Sequence, residues 1–237
     1  MSSRRRAGSC SAGRPRREVD SGVDEAAQLR VLEDVAARVI APTHRRFAQA
    51  AVALETAAQA YAASLADADR LAAQEAWRAA MEIWERAELM QIGPSAPSTR
   101  PGGSWLRDAI YSFPVTVRCR VDQETLEETY ADLDALAAEP VSVRGLDAME
   151  YLLFATSTEN ACTAVSPINA DGLWAALGPG EVVRRRAAYA SALATLVRRS
   201  AEAIVLAWDP EGATSRGSSL DRAPAASIRP RARRSMR

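Results

Sequence analysis

"RGLDAMEYLLFA", residues 144–155, sets Arg144, Asp147 and Glu150 into a segment otherwise as apolar as Leu146, Met149, Leu152, Leu153 and Phe154. The spacing predicts a helix, with Asp147 and Glu150 three residues apart on one face. Two carboxylates on a largely buried helix are costly unless something positive meets them. That partner is a metal ion, an arginine or a proton.

The same helical period extends outward in both directions. Leu29, Leu32, Val35, Ala36, Val39 and Ile40 follow three-and-four spacing, as do Phe47, Ala50, Ala51, Leu54 and Ala58 beyond Pro42. This predicts a long helix kinked at Pro42, or two helices meeting there. Asp67 and Asp69 are read as the cap of the next helix, which runs through Trp77, Met81, Trp84 and Leu89 to a Pro/Gly/Ser loop. The Trp77, Met81 and Trp84 seam reads as core packing. Residues 105–111 read as a short helix and residues 122–138 as a longer one, with Leu126, Tyr130, Leu133 and Leu136 inward. After residue 154 comes a polar loop to about residue 170. A final long helix over residues 181–208 carries Val183, Ala187, Ala190, Leu193, Val197, Ile204 and Leu206 towards the core. With no sustained strand alternation, the expected fold is an all-α, up-and-down helical bundle over residues 23–210.

The net charge of zero hides an asymmetry. All 30 basic residues are arginine; six lie in residues 1–17 and seven in residues 213–237, which together hold one acid. The middle therefore carries 17 arginines against 29 acids, a net charge of −12. An acidic middle disfavours nucleic acid and anionic membranes and suits cations. No run approaches the roughly 18–20 apolar residues of a transmembrane helix. The basic start, residues 1–22, has no apolar stretch of an export signal. Residues 211–237 are dominated by Arg, Ser, Ala and Pro. Both ends read as disordered basic segments, or as GC-rich DNA translated out of frame.

Four segments in order, "AARVIAPTHRRFAQAAVALETA" (36–57), "AWRAAMEIWERAELMQIGP" (76–94), "YSFPVTVRCRVDQE" (111–124) and "RGLDAMEYLLFA" (144–155), resemble the imelysin-like family over about residues 28–210. The resemblance implies the N-terminal half of a bacterial cell-envelope, periplasmic helical protein linked to iron uptake. The family carries a peptidase label and a Gly-x-His-x-x-Glu metal motif. Gly145 and Glu150 match that motif, whereas Asp147 takes the histidine position. A carboxylate there favours harder ions or ferric iron over zinc, and it removes a ligand from the peptidase reading.

The candidate metal ligands are thus Asp147 and Glu150, supported by Glu85 and Glu88 from "MEIWERAELM". The structural alternative is that Asp147 and Glu150 pair with Arg144, Arg118 or Arg120 and fix the bundle register, or sit on a solvated face. Arg118, Arg120 and Asp122, at alternate positions, either line the same pocket or stabilise the entry to a helix. Cys119 and Cys162, each flanking a family-like segment, form a disulfide if the protein is exported. His44, the only histidine, sits beside Arg45 and Arg46 in what reads as a surface patch, and supports neither a His-based zinc site nor a nucleophilic triad. The function expected is a non-catalytic binder of a metal cation, iron favoured, working with an envelope transport protein. The alternatives are a metal-dependent peptidase and an envelope scaffold.

Overall fold

The computed structural model describes residues 24–209. The expectations for residues 1–22 and 211–237 lie outside them. The described chain is helical, in the order α1 (Glu25–Val35), α2 (Ala41–Ser64), α3 (Asp67–Glu88), α4 (Leu106–Ile110), α5 (Arg118–Glu127), α6 (Leu133–Ala138), α7 (Gly145–Phe154), α8 (Pro167–Ala170), α9 (Leu173–Leu177) and α10 (Pro179–Trp208). No strand occurs among the described residues.

Pro42 acts as the sequence suggests. Because proline offers no N–H to the helical ladder, the turn before it widens: Ala36–Ile40 is a π-helical turn in which the Ala41 N–H reaches back to the Ala36 carbonyl. α1 and α2 are therefore one interrupted rod. α2 ends where Leu65 takes a left-handed φ of 54° and its N–H bonds the Tyr61 carbonyl at 2.8 Å. Asp67 and Asp69 occupy the first turn of α3, where acids suit the helix dipole. The capping residue itself is Ala66, contrary to the sequence reading.

The long helices α2, α3 and α10 pack side by side. Arg198 of α10 reaches Glu55 of α2 at 2.5 Å, while Val183 and Arg186 lie by Tyr61 and Leu65, so α2 and α10 run antiparallel. α7 lies across α3 and α10 and is the most enclosed short element, with Leu146, Ala148, Met149 and Leu153 buried. Side chains tie it down at both ends. Trp77 Nε1 donates to the Leu146 carbonyl at 2.8 Å, and Gln74 donates to the Leu153 carbonyl at 2.8 Å. Just before α7, the Tyr189 hydroxyl donates to the Val143 carbonyl at 2.7 Å. Phe47 and Trp84, with centroids 4.8 Å apart, anchor the core between α2 and α3.

Four further sequence expectations change. Residues 122–138 are not one helix, because Glu128 takes a φ of 54° and divides them into α5, a 3-10 turn and α6. Asp132 then caps α6 through the Asp134 and Ala135 N–H groups. The apolar stripe of α1 is not core: Leu29, Leu32, Val35 and Val39 are exposed, and no residue of α1 is buried. Leu206 is likewise exposed. His44 moves the other way. It is 1% exposed, because it shares the inward face of α2 with Phe47 and Ala51 at helical spacing, whereas Arg45 and Arg46 turn outward.

Candidate functional site: an acid-bearing cleft at the start of α7

The N-terminal turn of α7 is built around Gly145. Its φ is +82°, and a Cβ there would lie 2.7 Å from the Ile110 carbonyl oxygen. Only glycine lets α7 start this close to the end of α4. The tight approach places Asp147, in the first helical turn and 5% exposed, against the segment linking α4 to α5. There Ser112 donates to Asp147 Oδ2 at 2.8 Å, and the Thr116 hydroxyl donates to the same oxygen. Asp147 Oδ1 is buried and accepts no hydrogen bond. A buried carboxylate oxygen left without a donor costs about 1–3 kcal/mol or more.

Glu150, one turn further along, is exposed and shares an open cleft of about 570 Å³ with Asp147. Arg118, Tyr151, Phe154 and Asn160 are among the other walls. Arg118 lies 5.6 Å from the centre of the Tyr151 ring. Neither Asp147 nor Glu150 forms an ion pair with Arg144, Arg118, Arg120 or any other described residue. Their charge is felt instead by Tyr111, whose phenol is pushed up first by burial and then by Glu150, Asp147, Glu88 and Glu85 in that order.

The far wall of the cleft is a loop, residues 155–161, fixed from beneath by a buried ion pair. Asp122, fully buried, accepts from Tyr151 Oη at 2.7 Å, from the Ala161 N–H at 2.8 Å and from Arg186 Nη2 at 3.1 Å. Arg186, 4% exposed, also donates to the Ser157 and Glu159 carbonyls, each at 2.7 Å. It lies near the rings of Tyr151 and Trp174. A disulfide between Cys119 and Cys162 ties the start of α5 to the end of the same loop. Burial pushes the Tyr151 phenol up, and its hydrogen bond to Asp122 adds to this.

Of the residues singled out in the sequence, Asp147, Glu150 and Arg118 meet in this cleft, and Gly145 starts the helix that carries the first two. The others lie elsewhere. Glu88 is engaged by Arg107, whose Nε donates to it at 3.0 Å and whose Nη2 also contacts it. Glu85 is exposed on α3 and does not line the cleft. Arg120 pairs with Glu124 at 2.5 Å, Asp122 serves the loop anchor, and Arg144 lies in a separate groove. Ser112, Thr116, Asn160 and Arg186 were not singled out. Ser112 and Thr116 sit in the "YSFPVTVRCRVDQE" segment, but nothing local marks their hydroxyls as partners of a carboxylate more than 30 residues on.

No three His, Cys, Asp or Glu side chains among the described residues converge as a ready-made metal cage. What the cleft offers is two oxygen donors on one helical turn, one of them with an unused buried lone pair. That donor set fits a hard cation that keeps water or other oxygen ligands, rather than an enclosed zinc site.

The fold and this cleft define an all-helical protein whose one glycine-initiated, buried helix presents carboxylates to a side opening. The chain belongs to the imelysin family: the family model, which carries a peptidase label, matches residues 40–230. The match takes in α2 to α10 and continues past residue 210. No curated protein and no solved structure matches the chain.

Proposed function

We propose that this chain is a cell-envelope metal-binding protein that captures a hard cation as cargo, iron first, for delivery to an uptake partner. Asp147 and Glu150 are the ligands from the chain, and Arg118 and Asn160 border the space the cation's remaining ligands would fill. The observation that carries the reading is the buried, unpartnered Oδ1 of Asp147 beside a Glu150 that has no ion pair. The Ser112 and Thr116 hydroxyls occupy the other Asp147 oxygen and hold the carboxylate in one orientation, which limits the entropy lost when a cation binds. The disulfide supports an oxidising compartment. No described helix is long and apolar enough to cross a membrane.

The test is terbium luminescence on the full chain, with Tb³⁺ as the hard-oxygen probe and Fe³⁺ supplied as citrate in competition. Saturable binding of one Tb³⁺ per chain, displaced by iron, is expected, with loss of binding in Asp147→Asn and a reduction of about tenfold or more in Glu150→Gln. The Glu85→Gln variant should bind as wild type does. Absence of saturable binding to a folded chain would leave the scaffold reading in its place. Metal-dependent hydrolysis of a peptide library, lost in Glu150→Ala, would transfer the site to the peptidase reading.

A further inference from the structure

A second groove opens on the bundle between α4, α6 and α10, with a volume of about 220 Å³. Its polar wall is made by Arg144, Arg199 and Ser200, and its apolar wall by residues such as Leu106, Leu196 and Ala203. Arg144 is half-buried. Its Nη1 donates to the Ala137 carbonyl at 2.8 Å, its Nε is buried with no acceptor, and no carboxylate lies within ion-pair distance. Burial lowers the Arg144 pKa, and the opposing charges of Tyr189 and Glu139 offset this only in part. Arg199, one α10 residue away from Ser200, is exposed and has no ion pair or hydrogen bond among the described residues; nor does the Ser200 hydroxyl. Among the described residues most arginines are paired with an acid, as Arg184, Arg185 and Arg198 are.

Two guanidinium groups lining one small groove repel each other, and a half-buried one without an ion-paired acid carries a desolvation cost that the pull of Tyr189 and Glu139 does not cancel. An anion in the groove would answer both. Guanidinium forks match carboxylate and phosphate oxygens with paired N–H donors. The two differ in what else they carry, and the apolar wall selects between them. A phosphate is polar on every side, whereas a short-chain carboxylate has an apolar tail for Leu106, Leu196 and Ala203. We propose that the groove between α4, α6 and α10 is a binding site for a short-chain organic carboxylate, held by Arg144, Arg199 and Ser200. The site is separate from the α7 cleft, and its failure would leave the cation reading untouched.

The test titrates butyrate into the ¹⁵N-labelled full chain and follows amide and arginine Nε shifts. Saturable shifts confined to residues around Arg144 and Arg199 are expected, weakened about tenfold or more in Arg199→Gln and weakened further by added NaCl. Arg199→Gln removes no bond present in the fold, so it tests the site even if Arg144→Lys proves unstable. Glu150→Gln should leave butyrate binding unchanged. The proposal is overturned if butyrate shows no saturable shifts, or if Arg199→Gln binds as wild type does. Equal shifts with butanol, which lacks the charge, or with inorganic phosphate, which lacks the tail, would overturn it as well.

Discussion

His44 gives the sharpest test of the packing, because it is the chain's only histidine and reports as a single resonance. It is 1% exposed and neither ring nitrogen has a hydrogen-bond partner. Burial without a partner disfavours the charged imidazolium and lowers the pKa from the ordinary 6.5 to about 4. The unfolded chain therefore takes up a proton that the folded chain refuses. Stability is fully present above pH 6.5 and is lost as pH falls through the window down to about 4. With those two values, linkage gives a loss of about 2 kcal/mol by pH 5 and about 3 kcal/mol once pH is below 4. The assay has two parts. A proton NMR titration of His44 Hε1 in the folded chain should show no protonation above about pH 5. Urea unfolding at pH 7.5 and pH 5 should then show a pH-dependent loss about 2 kcal/mol smaller in His44→Gln than in wild type. Comparing pH differences cancels the cost of the substitution itself. A folded-state titration near pH 6.5, or an unchanged pH difference in the variant, would refute the buried, partnerless placement.

The loop anchor and the covalent tie make separate predictions. Asp122→Asn leaves Arg186 buried without its counter-ion, and breaking such a pair costs about 3–5 kcal/mol. The retained Ser157 and Glu159 carbonyls put this case at the low end; a urea midpoint within error of wild type would show that the pair is not enclosed as described. Reducing the Cys119–Cys162 disulfide, which spans 43 residues, should cost about 4 kcal/mol. The check is urea unfolding with and without dithiothreitol, using Cys119→Ser/Cys162→Ser as the control that should not respond. The two perturbations act on the same loop, so their combined effect should fall short of the sum, and both should weaken terbium binding through the wall of the cleft. Additive losses with unchanged terbium affinity would uncouple the loop from the site.

The sequence by itself determined the local architecture. Apolar residues at three-and-four spacing placed α2, α3, α7 and α10 within a few residues of where they lie, because the helical period fixes which side chains share a face regardless of what that face meets. The same rule put Asp147 and Glu150 together on one turn. It could not place the break at Glu128, where a left-handed residue interrupts a sequence with helical period throughout. Nor could it say that the stripe on α1 stays exposed while His44, with the look of a surface residue, is enclosed. Which acids share a pocket was decided only in three dimensions. Glu88 faces Arg107, Arg144 faces α10, and Asp147 meets Ser112 and Thr116. Those outcomes depend on how each helix is rotated about its axis and against which neighbour. Rotation is set by the packing of the whole core around Trp84, Met149 and Tyr189, and local sequence carries no record of it.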